Sequence, residues 1–162
     1  MRTLILYFSM TGRTKKVAES IVQGIEGHEK QIERIEYPKK ARNIISEQEK
    51  IINGDLSDFT YNQIIEDLAS FDLIFFGNPV YGGRQPPIFD GYIKRAQNVN
   101  GKKFIIFCTC RFLAGKTIEK MRIEIEKKGG TVVNERVFKG LFRIKMTKVQ
   151  EFIDEFNQSL LK

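Results

Sequence analysis

The chain has 162 residues, 41% of them hydrophobic and 29% charged, a balance that suits one soluble globular domain over 1–162 and excludes a disordered or fibrous chain. Lys plus Arg number 27 against 20 for Asp plus Glu, a formal net charge of +7, and such an excess first suggests nucleic acid. The basic residues are interleaved with acids, however, as in 119-EKMRIEIEKK-128, the pattern of a solvated helix face, so no nucleic-acid partner is expected.

In chain order, Thr3–Phe8 (TLILYF) is a continuous apolar run bounded by a polar turn and reads as a buried strand. Arg2 supplies one charge, but Leu4–Phe8 is too short for the apolar stretch of a signal peptide. No run approaches the roughly 20 apolar residues of a membrane span, so the expectation is a cytoplasmic protein. Thr14–Ile25 carries Val17, Ile21 and Ile25 on one helix face, and Gly27 stops it. Gln31–Tyr37 mixes apolar residues with charges, as an edge strand does. Residues 38–58 read least well: four isoleucines within Ala41–Ile52 could line one helix face before Gly54-Asp55 breaks it, and Tyr61–Leu68 holds a helical turn or two. Ser70–Gly77 is a second continuous apolar run, a central strand. The loop 78–87 follows, and Pro86-Pro87 opens a helix over 88–96. Lys103–Thr109 is a strand, Thr117–Lys127 a helix ended by Gly129-Gly130, and Thr131–Phe138 a strand. Val149, Phe152, Ile153, Phe156 and Leu160 mark a final amphipathic helix. This alternation predicts an α/β fold with a parallel sheet covered on both faces and a ligand site at the carboxyl ends of its strands.

The first strand runs into 9-SMTGRT-14 and then into a helix. Hydroxyls at Ser9, Thr11 and Thr14, a flexible Gly12 and amides at a helix N-terminus together make an anion site. No Gly-Lys-Ser/Thr ends the loop, so it is not a Walker loop, and the three glycines of a dinucleotide fingerprint are missing. A helix cap needs only one such hydroxyl, and this loop has three.

With that loop the chain becomes recognisable. LILYFSMTGRTKKVAESI resembles the phosphate-loop motif of the flavodoxin family, and FFGNPVYGGRQPP resembles the flavin loop that follows that family's third strand. FCTCRFLAGKT stands where the other flavin loop follows the fourth strand. The resemblance implies a doubly wound, five-stranded parallel sheet of order 2-1-3-4-5 that holds flavin mononucleotide (FMN) without covalent attachment. Carried over, Ser9, Thr11, Gly12, Arg13 and Thr14 would hold the phosphate. Asn78, Pro79, Val80, Tyr81, Gly82 and Gly83 would line the isoalloxazine, and Thr109, Cys110, Arg111 and Phe112 would close the other side. Tyr81 and Phe112 suit the two ring faces. The family's peptide flip, which turns a carbonyl toward the ring, would fall at Tyr81-Gly82, where glycine permits it.

Two features depart from the family: the chain has no tryptophan, and it is basic where typical flavodoxins are acidic. Arg84, Arg111 and Lys116 lie in or beside the flavin loops, and cations there would raise the potential for the second electron. The resemblance implies an electron-transfer protein working between redox partner proteins, and the basic surface points to acidic, ferredoxin-like ones. The alternative is an NAD(P)H-dependent FMN oxidoreductase of the same fold, acting as a quinone reductase, although no extra loop for a substrate pocket is evident. No residue selects a protoporphyrinogen-oxidase-like relative. A flavin-free signalling domain would carry an Asp-rich pocket where Ser9 stands.

Cys108 and Cys110 sit one residue apart near a strand end. Two rises of about 3.3 Å place their Cα atoms roughly 6.6 Å apart, at the upper limit for a disulfide that would close almost no loop. They read as reduced thiols. With the single histidine, His28, read as solvated, they make no zinc or iron–sulfur set.

Overall fold

The computed structural model describes residues 1–160. Strands β1 (Arg2–Phe8), β2 (Glu29–Ile35), β3 (Leu73–Pro79), β4 (Lys103–Cys110) and β5 (Thr131–Lys139) form one parallel sheet in the order β2-β1-β3-β4-β5. The inner strands β1, β3 and β4 are the apolar runs of the sequence. They are buried on both faces, as strands under helices must be. The polar β2 lies at one edge as expected, and the equally mixed β5 lies at the other.

Helices α1 (Arg13–Gly24) and α6 (Met146–Leu160) cover one face, packing Val17, Ile21, Phe152 and Phe156 against Ile5, Phe75 and Phe107. The other face carries α2 (Arg42–Ser46), α3 (Gln48–Ile52), α4 (Pro87–Arg95) and α5 (Thr117–Lys127) over Leu4, Leu6, Phe76 and Ile106. No helix among the described residues is long and apolar enough to cross a membrane.

Four local expectations shift. Strand β2 begins two residues early, because Glu29 pairs with Arg2 at the start of β1. The helix expected over Ala41–Ile52 breaks at Glu47 into α2 and α3. Tyr61–Leu68 keeps only a 3-10 turn over Gln63–Glu66. His28 is half-buried rather than solvated, with Nδ1 bonded to the Thr3 hydroxyl and the ring 5.6 Å from that of Phe156. That burial lowers its pKa, so it stays neutral at pH 7.

The segment before β3 is closed by Asp58, which accepts from Lys39 at 2.7 Å and from Lys50 at 2.8 Å. Those two hydrogen bonds hold its carboxyl well below the usual carboxylate range. The folded pKa lies below the unfolded one, so Asp58 stabilises the fold above about pH 3.8 and loses that effect as pH falls. Asp58→Asn is expected to lower Tm slightly at pH 7 and by less than half as much at about pH 2. Melting curves at both pH values check this, and an equal gap at both would count against it.

Candidate functional site

The carboxyl ends of β1, β3 and β4 meet where the connections from the sheet centre run in opposite directions, the place where such sheets bind ligands. Between the end of β1 at Phe8 and the start of α1 at Arg13 the chain makes a short turn, with Gly12 at φ +83°. The buried Ser9 hydroxyl accepts from the amides of Gly12 at 3.2 Å and Lys15 at 3.3 Å. Thr14 turns inward, its Oγ1 2.9 Å from that of Thr109 on β4, and both are buried. The guanidinium of Arg13 spans to the loop before α6, donating to the carbonyls of Gly140, Leu141 and Phe142 at 3.0, 2.8 and 3.2 Å. Of the three hydroxyls read from the sequence, only that of Thr11 belongs to an exposed residue.

Strand β3 continues past Gly77, pairing Asn78 with Cys108 and Pro79 with Thr109, so the expected loop starts two residues later. Asn78 is buried beneath α5. Its Nδ2 lies 3.7 Å from the Met121 sulfur and its Oδ1 has no partner among the described residues, so it lies in the core rather than on the cleft its neighbours line. Beyond Val80, Tyr81 and Arg84 pair as a tight hairpin, N–H to carbonyl at 2.8 Å one way and 3.3 Å the other. Gly82 and Gly83 sit between them at φ +59° and +77°, the primed turn that only residues without a side chain adopt freely. A Cβ at either would meet nothing within 4 Å, so the hairpin tip faces open space.

The third loop packs against this hairpin. The Gly83 carbonyl accepts from the Lys116 amide at 2.9 Å, and a Cβ on Gly115 would lie 2.2 Å from that oxygen. Thr109 and Cys110 end β4, while Phe112 and Leu113 stand 66% and 76% exposed. Burial raises the Cys110 thiol pKa against the pull of Lys139 and Arg13, and pushes the Cys108 thiol up to about 12. Both are free thiols and are protonated at pH 7.

The three loops enclose a cleft of about 580 Å³. Thr11 and Arg13 line it from the first loop, Pro79, Val80, Tyr81 and Gly83 from the second, and Thr109, Cys110, Arg111 and Phe112 from the third. Met10 and Leu113 line it too. Sequence reasoning passed over both, although each sits beside a residue already singled out. Gly82 and Arg84 instead face a separate cavity behind the hairpin. Amides at the start of α1 suit an anionic head, and an apolar cleft with aromatic Tyr81 and Phe112 suits a flat ring.

Residues 41–153 match the model of the family described as the flavodoxin domain. The fold is similar to a flavoprotein from Lactobacillus acidophilus NCFM, solved in complex with FMN. The two are 19% identical, with 84% of this chain and 92% of that one covered and a TM-score of 0.63. It is also similar to oxidised flavodoxin 2 from Bacillus cereus, at 18% identity, with 98% of this chain and 99% of that one covered and a TM-score of 0.64. For a flavodoxin of Streptococcus pneumonia TIGR4 the values are 14%, 98%, 99% and 0.62. No curated protein matches the sequence.

Proposed function

The chain belongs to the flavodoxin domain family, and from that premise we propose that it binds FMN without covalent attachment and shuttles electrons between redox partner proteins in the cytoplasm. The observation that carries this reading is the convergence of an amide-rich helix start and two glycine-bearing loops on one cleft. The amides of Gly12 and Lys15, now turned onto the Ser9 hydroxyl, would hold the phosphate with help from Thr11 and the positive end of α1. Tyr81 and Phe112, which line the cleft, would wall the ring. Bound flavin supplies the capacity to accept one or two electrons. The Tyr81 carbonyl is held only by a long 3.3 Å bond from Arg84 and would be available to accept a ring N–H. Arg13 and Arg111 on the cleft wall favour a negatively charged ring.

Beside the phosphate loop the carbonyls held by Arg13 fix a loop that leaves Phe142 88% exposed. Lys15, Lys16, Arg143 and Lys145 line the groove next to it, with Glu19 its single acid. An exposed aromatic ringed by cations suits an acidic, ferredoxin-like partner. The second reading, an NAD(P)H-dependent FMN oxidoreductase, gains from the cavity behind the hairpin, which is of nucleotide size.

Uptake of FMN followed by stepwise reduction of the loaded protein tests the proposal. Two separated one-electron steps are the expected result. A single two-electron step together with fast NADPH oxidation by a quinone would move the assignment to the reductase, and failure to take up FMN would overturn both readings.

A further inference from the structure

The hairpin Tyr81–Arg84 has a second face, which forms one wall of a cavity of about 660 Å³ outside the cleft. The segment that read least well in the sequence builds the opposite wall. Ile45 of α2 and Ile52 of α3 face Ile123 of α5 across α4, and the three are 56%, 41% and 41% exposed. Gly91 of α4 lets α3 come this close, since a Cβ there would lie 2.2 Å from the Ile51 carbonyl oxygen. Tyr81 ties the hairpin to the same segment by donating its hydroxyl to the Ala41 carbonyl at 3.3 Å.

The lining between these walls is polar. Gln85 donates its amide nitrogen to Asp90 at 2.9 Å, and its own buried oxygen has no partner among the described residues. Arg84, Lys120 and Glu124 surround Asp90. Glu124 is taken by Lys127, whereas Arg84 and Lys120 stand in no ion pair among the described residues. A shallower groove continues along α4 past Asp90 and is edged by Lys94, Lys127 and Lys128.

Each part selects a chemistry. Apolar walls take a flat ring. A buried acceptor without a partner favours a ring that brings an N–H donor, and it disfavours a quinone, which offers only acceptors. Unpaired cations that lead into a lysine-edged groove take an anionic tail. We propose that this cavity is a nucleotide-binding site, with an NH₂-bearing ring against Gln85 and Asp90 and phosphates on Arg84, Lys120 and the α4 groove. The site lies behind the hairpin rather than in the cleft, so it does not rest on the flavin reading. Both sites are occupied together, with coupling carried by the shared Tyr81.

Calorimetric titration of the full chain with AMP and with NADPH is the test. Binding of at least one is expected, weakened about tenfold or more by Gln85→Leu and by Lys120→Glu. Lys103→Glu makes the same charge change at the opposite end of the sheet and should leave it unaltered. Tighter NADPH assigns the α4 groove to the second half of a dinucleotide, and equal affinities confine the site to a mononucleotide. The proposal is overturned if neither ligand binds, if FMN competes with them, or if Lys103→Glu weakens binding as much as Lys120→Glu. Lys120→Glu, at a half-buried position on the surface of α5, decides the matter should Gln85→Leu fail to fold. FMN titration of the same samples reads the cleft separately, so either proposal can fail without the other.

Discussion

Ser9→Asp should cost the protein its grip on FMN by about three orders of magnitude while leaving riboflavin affinity nearly unchanged. The Ser9 hydroxyl already accepts the amides of Gly12 and Lys15. A carboxylate at the same place accepts the same two amides and puts a negative charge where the phosphate must come. At about 4 Å and an effective dielectric constant near 20, one such pair of charges repels by about 4 kcal/mol. Riboflavin has no phosphate and does not feel that repulsion. Paired titrations of the two ligands, followed by flavin fluorescence, check the result. Equal losses for both would mean that the loop had been distorted rather than charged.

The largest loss of stability is expected at Gly91. Its missing side chain is the space in which the Ile51 carbonyl sits, and Leu56 Cδ2 lies 2.9 Å from where a Cβ would be. The carbonyl is backbone and cannot rotate away, so a side chain must push α3 off α4. Alanine gains up to about 1 kcal/mol in helix propensity over glycine, and overpacking costs about 1–3 kcal/mol, so Gly91→Ala destabilises the fold modestly. Gly91→Leu adds three more carbons to the same collision and exposes Ile44 and Ile51, both now buried. A drop of several kcal/mol in chemical denaturation is expected, with the nucleotide cavity lost because α2 and α3 form its wall. Loss of that cavity with FMN uptake intact would show that the damage stays on one side of the hairpin.

The parts of the fold that could be read from the sequence are those written in neighbouring residues. The TLILYF and SFDLIFFG runs declare strands buried on both faces, and SMTGRT declares an anion site at a helix start. The strand order came from the family resemblance, and the observed strand pairing agrees with it. What stayed illegible depends on partners far along the chain. Arg13 was read as a phosphate contact, yet its guanidinium is spent on three carbonyls near residue 141. Asn78 was read as ring lining, and the strand continues through it because Cys108 pairs with it. In 38–58 the isoleucines come in adjacent pairs, and only Ile44 and Ile51 are buried while Ile45 and Ile52 stay exposed. One continuous helix and two short ones leave the same trace there, and the packing against α4 decides between them.

The bond between Thr14 and Thr109 joins residues 95 positions apart, and the acceptors of Arg13 lie 127 to 129 positions downstream. Of the three loops, the first in the sequence is therefore completed only by residues near the other end of the fold. A fragment ending before Gly140 thus bears the signature of the site without its support.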